Sequence, residues 1–347
     1  MFSKQLRVSV TLVCLTLLCQ YCSKEDTSQP ANTESSNTTP VLPTIPYNYM
    51  VSLPANIANN LLQTDNTPDN NAITNDGATL GRVLFYDKRL SLNNTISCAS
   101  CHKQTLSFSD TALRSVGFEG GLTRRHSMPL LNIGFYQSGK MFWDERAASL
   151  EEQTLMPIQD LTEMGMTLPA LVNKLDTVAF YPPLFQKAFG NSTISADAIS
   201  KALSQFVRSI VTYQSKYDQV KAGKASFTAE ESAGEQLFLT AGVNTCASCH
   251  TPPMFITSSP KAPFALRDDS DLGINNEDRF KSSSLRNIAL TAPYFHNGSI
   301  ASLQAMLTSR IPDHGVAAQD VSKLLAFLQT LTDNTITTEA RFSNPFN

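Results

Sequence analysis

The 347-residue sequence has little charge, no basic excess and a single tryptophan. Charged residues make up only 16% of the chain, and 27 basic residues are opposed by 30 acidic ones. A nucleic-acid-binding protein needs a basic face that neutralises phosphates, and this composition offers none. After residue 22 there is also no run of about twenty apolar residues, the length that spans a bilayer. The sequence therefore excludes a nucleic-acid binder and a protein with several membrane spans.

The start of the chain has the pattern of an export signal followed by a tether. In residues 1–22, Lys4 and Arg7 precede an apolar run that is too short to cross a membrane. Residues 23–50 are rich in Ser, Thr, Asn and Gln, and they contain too little apolar surface to order themselves. Leader and tether together are typical of a lipoprotein anchored through Cys22, and plain secretion is the alternative. In both cases we expect an exported, periplasmic protein.

Cysteine spacing is the most informative feature of the remaining sequence. Four of the seven cysteines form two identical words, Cys-Ala-Ser-Cys-His, and the other three lie at or before residue 22. No cysteine is left for a disulfide framework. In a C-x-x-C-H unit the two thiols add to the vinyl groups of a haem, and the histidine becomes an axial ligand of its iron. The sequence therefore predicts two c-type haems, attached at Cys98 and Cys101 with His102, and at Cys246 and Cys249 with His250.

Two other chemistries use similar cysteine patterns. A redox-active C-x-x-C normally begins a helix in a βαβ context, which this sequence lacks. A structural zinc site built from one unit needs a fourth ligand, and the five histidines of the chain leave few to supply it. Haem attachment is therefore the favoured interpretation, and the export signal agrees with it.

Hydrophobic periodicity predicts an all-α fold with long loops. Strand alternation is nearly absent, and apolar residues recur at helical spacing in four segments. At the start of the segment 228–239, Thr228 and Glu231 form a capping-box pattern. Because the two haem words lie far apart, each is assigned to its own domain. We expect helices at 77–86, 196–217, 228–239 and 321–331, and haem domains at 51–222 and 223–347.

Three residues that follow the first haem word are candidates for catalysis. Peroxide chemistry needs one group that moves a proton from the near to the far oxygen and a second that holds the peroxide. Gln153 and Glu163, ten residues apart, are suitable for these tasks. Taken alone, Glu163 is more often a solvated helix residue, and Trp143, the only tryptophan, is more often a core aromatic. Their position after a haem word favours the catalytic interpretation.

The order of the motifs resembles the bacterial di-haem cytochrome c peroxidase and MauG superfamily over about residues 76–332. The resemblance implies two cytochrome-c-like domains, with a peroxidatic N-terminal haem and a C-terminal haem that stores and relays electrons. It also implies that Trp143 lies between the haems, that Gln153 and Glu163 form the distal pair, and that Glu163 is the acid/base. Besides these and the haem words, the resemblance rests on Arg125, Asn132, Phe142–Ala147, Met164, Ser284–Asn287 and Leu290–Gly298.

One departure from the family concerns the first haem. In the reductively activated peroxidases, a distal histidine within a Ser-Ile-Gly-His stretch binds the resting iron. The corresponding stretch here is Ser115–Phe118, so Phe118 stands at the position of that histidine. A phenyl ring has no lone pair for iron. We therefore predict an open sixth site in the ferric first haem, as in the MauG-like branch.

Two further departures concern the second haem and calcium. Arg310 stands where the family has the sixth ligand of the second haem, and a protonated guanidinium cannot bind iron. Met306 and His314 are the candidate replacements, and Met306 would give the higher potential. His126 stands where the family has an asparagine that binds calcium. Because imidazole is a poor ligand for this oxygen-seeking ion, the sequence argues against calcium.

These features predict a peroxidase that reduces H2O2 to water at the N-terminal haem. Glu163 moves the proton, Gln153 positions the oxygens, and Trp143 connects the haems. Electrons enter at the C-terminal haem from a small redox protein, a cytochrome c or a cupredoxin. Two alternatives remain: MauG-like oxidation of a residue on a partner protein, which Phe118 favours, and a non-catalytic di-haem electron carrier, which would leave Gln153 and Glu163 without a role.

Overall fold

The computed structural model describes residues 38–50, 52–61, 64–240, 245–256, 270–277, 279–309 and 315–346. Within these residues the chain forms twelve α-helices joined by long loops and 3-10 turns, and β-structure is limited to isolated bridges. The prediction of an all-α fold is confirmed. The helices are α1 (Ala55–Ala58), α2 (Asn75–Tyr86), α3 (Cys98–Cys101), α4 (Leu150–Gln159), α5 (Leu168–Asp176), α6 (Tyr181–Phe189), α7 (Ala196–Arg208), α8 (Lys216–Lys221), α9 (Ala229–Phe238), α10 (Cys246–Cys249), α11 (Leu303–Thr308) and α12 (Val321–Gln329).

The first hydrophobic core is built around the crossing of α2 and α7. Gly81 of α2 lies directly against α7, and a Cβ at this position would come within 2.0 Å of the Ala202 carbonyl oxygen. The missing side chain therefore lets the two helix backbones approach closely. Phe85 and Phe206 pack across this crossing with their ring centroids 5.2 Å apart. Apolar residues of α4, α5 and α6 extend the same core.

The second core repeats this arrangement with α9 and α12. A Cβ at Gly234 of α9 would come within 2.0 Å of the Lys323 carbonyl oxygen, so these helices also meet at a glycine. Phe327 of α12 packs against Phe238 and Phe255, with ring centroids 5.2 and 6.1 Å away. A helix crossing of the same kind thus occurs in each half of the sequence.

Three of the four predicted helices are confirmed to within about two residues at each end. These are α2, α9 and α12. The predicted capping box is present as well, because the Thr228 hydroxyl accepts from the Glu231 N–H and the Glu231 carboxylate accepts from the Thr228 N–H. Local sequence signals therefore define these helices without tertiary information.

The prediction of one helix over 196–217 was wrong. Helix α7 ends at Arg208, and α8 begins only after a break. In the break, the Ile210 carbonyl accepts from the Asn132 N–H (2.9 Å), and the Thr212 N–H donates to Asn132 Oδ1 (3.0 Å). These bonds to a distant asparagine satisfy backbone groups that a continuous helix would otherwise pair, so the apolar stripe continues while the helix does not.

The end of the predicted tether is part of the fold. Tyr49 is fully buried, and its hydroxyl donates to the Arg341 carbonyl oxygen at 2.8 Å. The predicted tether at 23–50 therefore extends too far toward the C-terminus. Its residues 23–37, the leader and Cys22 lie outside the described residues. Among the helices that the structure describes, none is long and apolar enough to cross a membrane.

The C-terminal segment of the chain returns to the first core. Ile336, Phe342 and Phe346 all pack in the cluster formed by α2 and α7. The second half of the sequence thus stabilises the first. The division into domains at 51–222 and 223–347 stays a prediction.

Candidate haem sites

The first C-x-x-C-H unit opens onto a cavity of about 710 Å³, including the part open to solvent. Helix α3 places Cys98 and Cys101 one turn apart, and both side chains line the cavity together with His102. The opposite walls come from α2, α4 and α7 and are largely apolar. They include Phe85, Thr154, Ile158, Leu203 and Val207, and Leu130 is contributed by a loop.

These side chains are suited to a covalent haem. His102 Nδ1 lies 3.0 Å from the Phe108 carbonyl oxygen, and this hydrogen bond makes Nε2 the nitrogen that would bind iron. Burial lowers the pKa of His102, which favours the neutral, ligating imidazole. Both cysteines are free of disulfides, and burial raises the pKa of Cys98 to about 12 and that of Cys101 to about 11. The unit therefore presents two thiols and one neutral imidazole to the same cavity.

Gln153 and Glu163, the two candidate catalytic residues, both line this first cavity. Gln153 projects from α4. Glu163 follows in a turn, in which its backbone N–H donates to the Asp160 carbonyl oxygen at 3.1 Å. Burial and, to a smaller extent, the Asp160 carboxylate raise the pKa of Glu163 to about 7, although Arg146 opposes the rise. A carboxyl group with a pKa near 7 can both accept and donate a proton near neutral pH.

The structure places the Phe118 ring outside the cavity. The ring packs over Gly165, where a Cβ would lie 2.4 Å from it, while Gly117 is the member of this stretch that lines the cavity. The Phe118 N–H donates to the Glu163 carbonyl oxygen at 3.0 Å, which holds the stretch in place. The position of the family's distal histidine is therefore not filled by an aromatic ring. Among the described lining residues, Met164 is the one soft donor besides the C-x-x-C-H unit.

The second C-x-x-C-H unit lines a larger cavity of about 1340 Å³, including the part open to solvent. Cys246, Cys249 and His250 all face it, and His250 Nδ1 lies 3.1 Å from the Ser282 hydroxyl. This contact selects Nε2 of His250 for iron, as in the first site. Met306 lines the same cavity, so one candidate sixth ligand is near. His314, the other candidate, and Arg310 lie outside the described residues.

One short stretch of chain, residues 126–130, contributes to the walls of both cavities. His126 and Pro129 line the second cavity, and Leu130 lines the first. Trp143 lines the second cavity, and its Nε1 donates to the His126 carbonyl oxygen at 2.8 Å. The predicted tryptophan is thus bonded to the wall between the two sites, on the side of the second.

His126 has an unsatisfied nitrogen on this wall. Its Nδ1 lies 2.9 Å from the Ala112 carbonyl oxygen, whereas its buried Nε2 has no hydrogen-bond partner among the described residues. Burial lowers the pKa of His126, so the ring is neutral. A buried polar atom without a partner is costly, and a polar edge of a bound haem in this cavity would satisfy it. The second cavity therefore also fits the cofactor.

Two loops with the same backbone shape meet beside this wall. Loops 141–147 and 294–300 are each closed by one β-bridge, and the phenylalanine near the start of each has a left-handed backbone, with φ of 70° and 69°. The next residue is Trp143 in the first loop and His296 in the second, and their rings meet edge to face at 6.5 Å. This equivalence was not predicted from the sequence, although both loops follow an asparagine–isoleucine pair, which could have revealed it.

An ion pair across the two halves was also missed. Arg125 donates to both oxygens of Asp271, from Nε at 2.6 Å and from Nη2 at 2.7 Å. The Arg125 guanidinium holds the pKa of Asp271 down at about 2. The sequence analysis used Arg125 only as part of a motif, because its partner lies far away in the sequence and no local pattern identifies it.

An all-α fold with two C-x-x-C-H units, each facing its own cavity, defines a di-haem c-type protein. The chain belongs to the di-haem cytochrome c peroxidase and MauG family, and two c-type haems with iron are its cofactors. A family model described as di-haem cytochrome c peroxidase matches residues 75–226, and one described as RoxA-like, cytochrome c-like, matches residues 280–312.

Individual relatives agree with this assignment. The chain is 35% identical over 272 residues to the methylamine utilization protein MauG of Methylorubrum extorquens, covering 75% of this chain and 74% of that protein. It is 34% identical over 281 residues to the cytochrome c551 peroxidase of Nitrosomonas europaea, covering 77% and 81%. A crystal structure of a MauG-like protein associated with microbial copper homeostasis matches with a TM-score of 0.75 and 29% identity, over 87% of this chain and 100% of that one. Relatives thus include both peroxidases and MauG proteins.

Proposed function

We propose that the protein reduces hydrogen peroxide to two molecules of water at the haem attached to Cys98 and Cys101. Two protons and two electrons are consumed, and the electrons come from a small redox protein, a cytochrome c or a cupredoxin. They enter at the haem attached to Cys246 and Cys249. The observation that carries the proposal is that Glu163 shares one cavity with the first C-x-x-C-H unit.

Each haem supplies an iron that binds ligands and exchanges electrons; the chain supplies proton transfer and orientation. The Glu163 carboxylate accepts a proton from one peroxide oxygen and returns it to the other, which its pKa of about 7 allows at neutral pH. The Gln153 amide offers both a donor and an acceptor to hold the peroxide during this transfer. The apolar side chains of α2, α4 and α7 make the cavity around the carboxylate poorly polar, which favours its protonated form.

Trp143 has the role of connecting the two sites. Its ring lies on the wall of the second cavity, and its indole N–H is fixed by the His126 carbonyl oxygen at 2.8 Å. A rigid aromatic ring at this wall shortens the distance that an electron must cross between the two cavities. His102 and His250 are proposed as the proximal iron ligands of the first and second haem.

We further propose that the protein is exported to the periplasm and tethered through a lipid on Cys22. The support is the order of leader and polar tether in residues 1–50. Mass spectrometry of the protein isolated from membranes would show a diacylglyceryl group on Cys22. An unmodified mature chain in the soluble fraction would favour plain secretion.

The test of the proposed reaction is the spectrum of the ferric protein before and after one equivalent of peroxide, followed by addition of a reduced donor. We expect two haems per chain, consumption of the peroxide without prior reduction, and stoichiometric oxidation of two donor molecules. If the ferric protein has both irons saturated by protein ligands and does not consume peroxide, the chain is an electron carrier and the proposal is wrong.

MauG-like oxidation of a residue on a partner protein is the second candidate. The stretch that carries the resting histidine in activated peroxidases here presents Gly117 to the first cavity and no imidazole. The same spectrum distinguishes the candidates. If reduced cytochrome c or cupredoxin does not speed the return of the peroxide-treated protein to its ferric spectrum, the electrons come from another source, as the second candidate requires.

A further inference from the structure

In addition to the two haem cavities, a smaller cleft lies on the solvent side of Glu163. It encloses about 610 Å³ of empty space, including the part open to solvent, and we call it the outer cleft. Glu163 and Pro157 line both this cleft and the first haem cavity, so these two residues form the partition between them. Phe142, Arg146 and Asp160 line the rest of the cleft together with side chains from the end of α4.

Arg146 is held against the wall of the outer cleft by two contacts. Its guanidinium carbon lies 3.6 Å from the centroid of the Phe142 ring, and its Nη1 lies 2.8 Å from Asp144 Oδ1. The other oxygen of Asp144 pairs with Arg125 at 2.5 Å, which fixes the carboxylate that Arg146 needs. A guanidinium stacked on a ring and paired with an anchored carboxylate loses much of its freedom. Arg146 therefore narrows the cleft as a positioned group.

The loop that carries these side chains has a strained but well-supported backbone. Phe142 and Glu145 have left-handed φ values of 70° and 55°, which are uncommon for residues other than glycine. The loop is closed by a bond from the Met141 N–H to the Ala147 carbonyl oxygen (2.9 Å), and the Tyr136 hydroxyl donates to the Glu145 carboxylate. These contacts keep the side chains of Phe142 and Arg146 in place at the cleft. The size of these two side chains therefore sets the width of the cleft.

We propose that the outer cleft is the entrance by which hydroperoxide reaches Glu163, and that Arg146 restricts it to small hydroperoxides, above all hydrogen peroxide. This inference rests on the proposed peroxidase function. Polar groups on the rim, the Asp160 carboxylate and the Arg146 guanidinium, offer both an acceptor and donors to a small molecule with two hydroxyl groups. Because the stacked guanidinium occupies part of this cleft, a hydroperoxide with a bulky alkyl group is hindered more than hydrogen peroxide.

The test compares ligands of different size on the fully reduced holoprotein. Carbon monoxide is the small probe and tert-butyl isocyanide is the bulky one, and their association rates at the first haem are measured by stopped flow. We expect Arg146→Ala to raise the ratio of the association rate of tert-butyl isocyanide to that of carbon monoxide by at least about tenfold. Arg146→Met, which keeps length without charge, should change the ratio much less. The ratio of the reaction rate with tert-butyl hydroperoxide to that with hydrogen peroxide should change in the same way in these variants.

Arg89→Ala is a matched control. Arg89 also pairs with an aspartate two residues earlier, Asp87 at 3.0 Å, and lies over a phenyl ring, that of Phe180 at 5.4 Å. In the structure as described, it lines neither haem cavity nor the outer cleft. The proposal that the outer cleft is the entrance would be overturned if Arg146→Ala left the ratio of the two association rates unchanged. An equal change of this ratio in Arg89→Ala would also overturn it. A protein that changes its ligand ratio but never reduces peroxide would instead disprove the proposed function alone.

Discussion

Replacing Glu163 with glutamine removes a carboxyl group whose surroundings oppose its charge. Burial is the main cause, followed by Asp160, and together they raise the pKa from 4.5 to about 7 against the influence of Arg146. Because each pKa unit corresponds to about 1.4 kcal/mol, the ionised side chain costs the folded protein about 3 kcal/mol at a pH well above 7. The neutral amide has nearly the same shape and avoids this cost.

The sign of the effect follows from the direction of the pKa shift. Above pH 7 the carboxyl group of Glu163 is ionised in both the folded and the unfolded state, and the full cost is present. Below pH 4.5 it is protonated in both states, and the cost disappears. We therefore expect Glu163→Gln to be more stable than the wild type by up to about 3 kcal/mol at pH 8, with no advantage at pH 4.

The same substitution should reduce activity while it increases stability. Loss of a positioned acid/base slows the reaction with peroxide by about 10²–10⁴-fold. The wild-type rate should also fall as the pH decreases below about 7, because protonated Glu163 cannot accept a proton from peroxide. Glu163→Gln should lack this inflection.

Urea denaturation at pH 4, 6 and 8 measures the stability of the holoprotein, and stopped-flow mixing with peroxide measures the rate. Glu119→Gln is the control, since Glu119 is exposed on the neighbouring loop and lines no part of the first cavity described in the structure. A Glu163→Gln protein that is no more stable than the wild type at pH 8 and keeps the wild-type rate would refute both parts of the reasoning.

Three further predictions test other parts of the molecule. Trp143→Phe should slow electron return from the donor while the first equivalent of peroxide is still consumed, and unchanged steady-state turnover would reduce Trp143 to a packing role. The ferric protein should show a high-spin haem, unaltered in Met164→Leu; a low-spin wild type that becomes high-spin in this variant would identify Met164 as a ligand. Asp218→Asn should destabilise the protein by about 3–5 kcal/mol in urea, because it leaves Arg286 buried without its carboxylate partner, whose oxygens lie 2.7 Å from the guanidinium. A loss below about 1 kcal/mol, the range of an exposed pair, would contradict this.

The haem-attachment units could be predicted from the sequence because all their chemistry is local. Two thiols and an imidazole within five residues need only one helical turn to face one cavity, and α3 and α10 provide it. The catalytic roles of Gln153 and Glu163 stay a prediction that rests on the family resemblance. Helix α4 and the turn after it explain only that both residues reach the first cavity.

The features that the sequence analysis missed depend on contacts between distant segments. The break after α7 is caused by bonds to Asn132, and the pairing of Arg125 with Asp271 joins the two halves. The direction of the Phe118 ring is set by Gly165 and by the turn that carries Glu163. None of these interactions leaves a periodic signal in the sequence, because each depends on the tertiary fold.

Loops of one backbone shape lie beside two different sites. In the second half, the left-handed position near the end of the loop is Gly298, with φ of 67°, whereas the first half has Glu145 there, with φ of 55°. Glycine adopts this conformation without strain, whereas Glu145 is held in it with its carboxylate bonded to the Tyr136 hydroxyl. The first loop gains in return a fixed orientation, with Trp143 on the wall of one cavity and Arg146 on the cleft beside the other. Strain is therefore located in the loop that carries Trp143 and Arg146, whereas the equivalent position of the second loop is the unstrained Gly298.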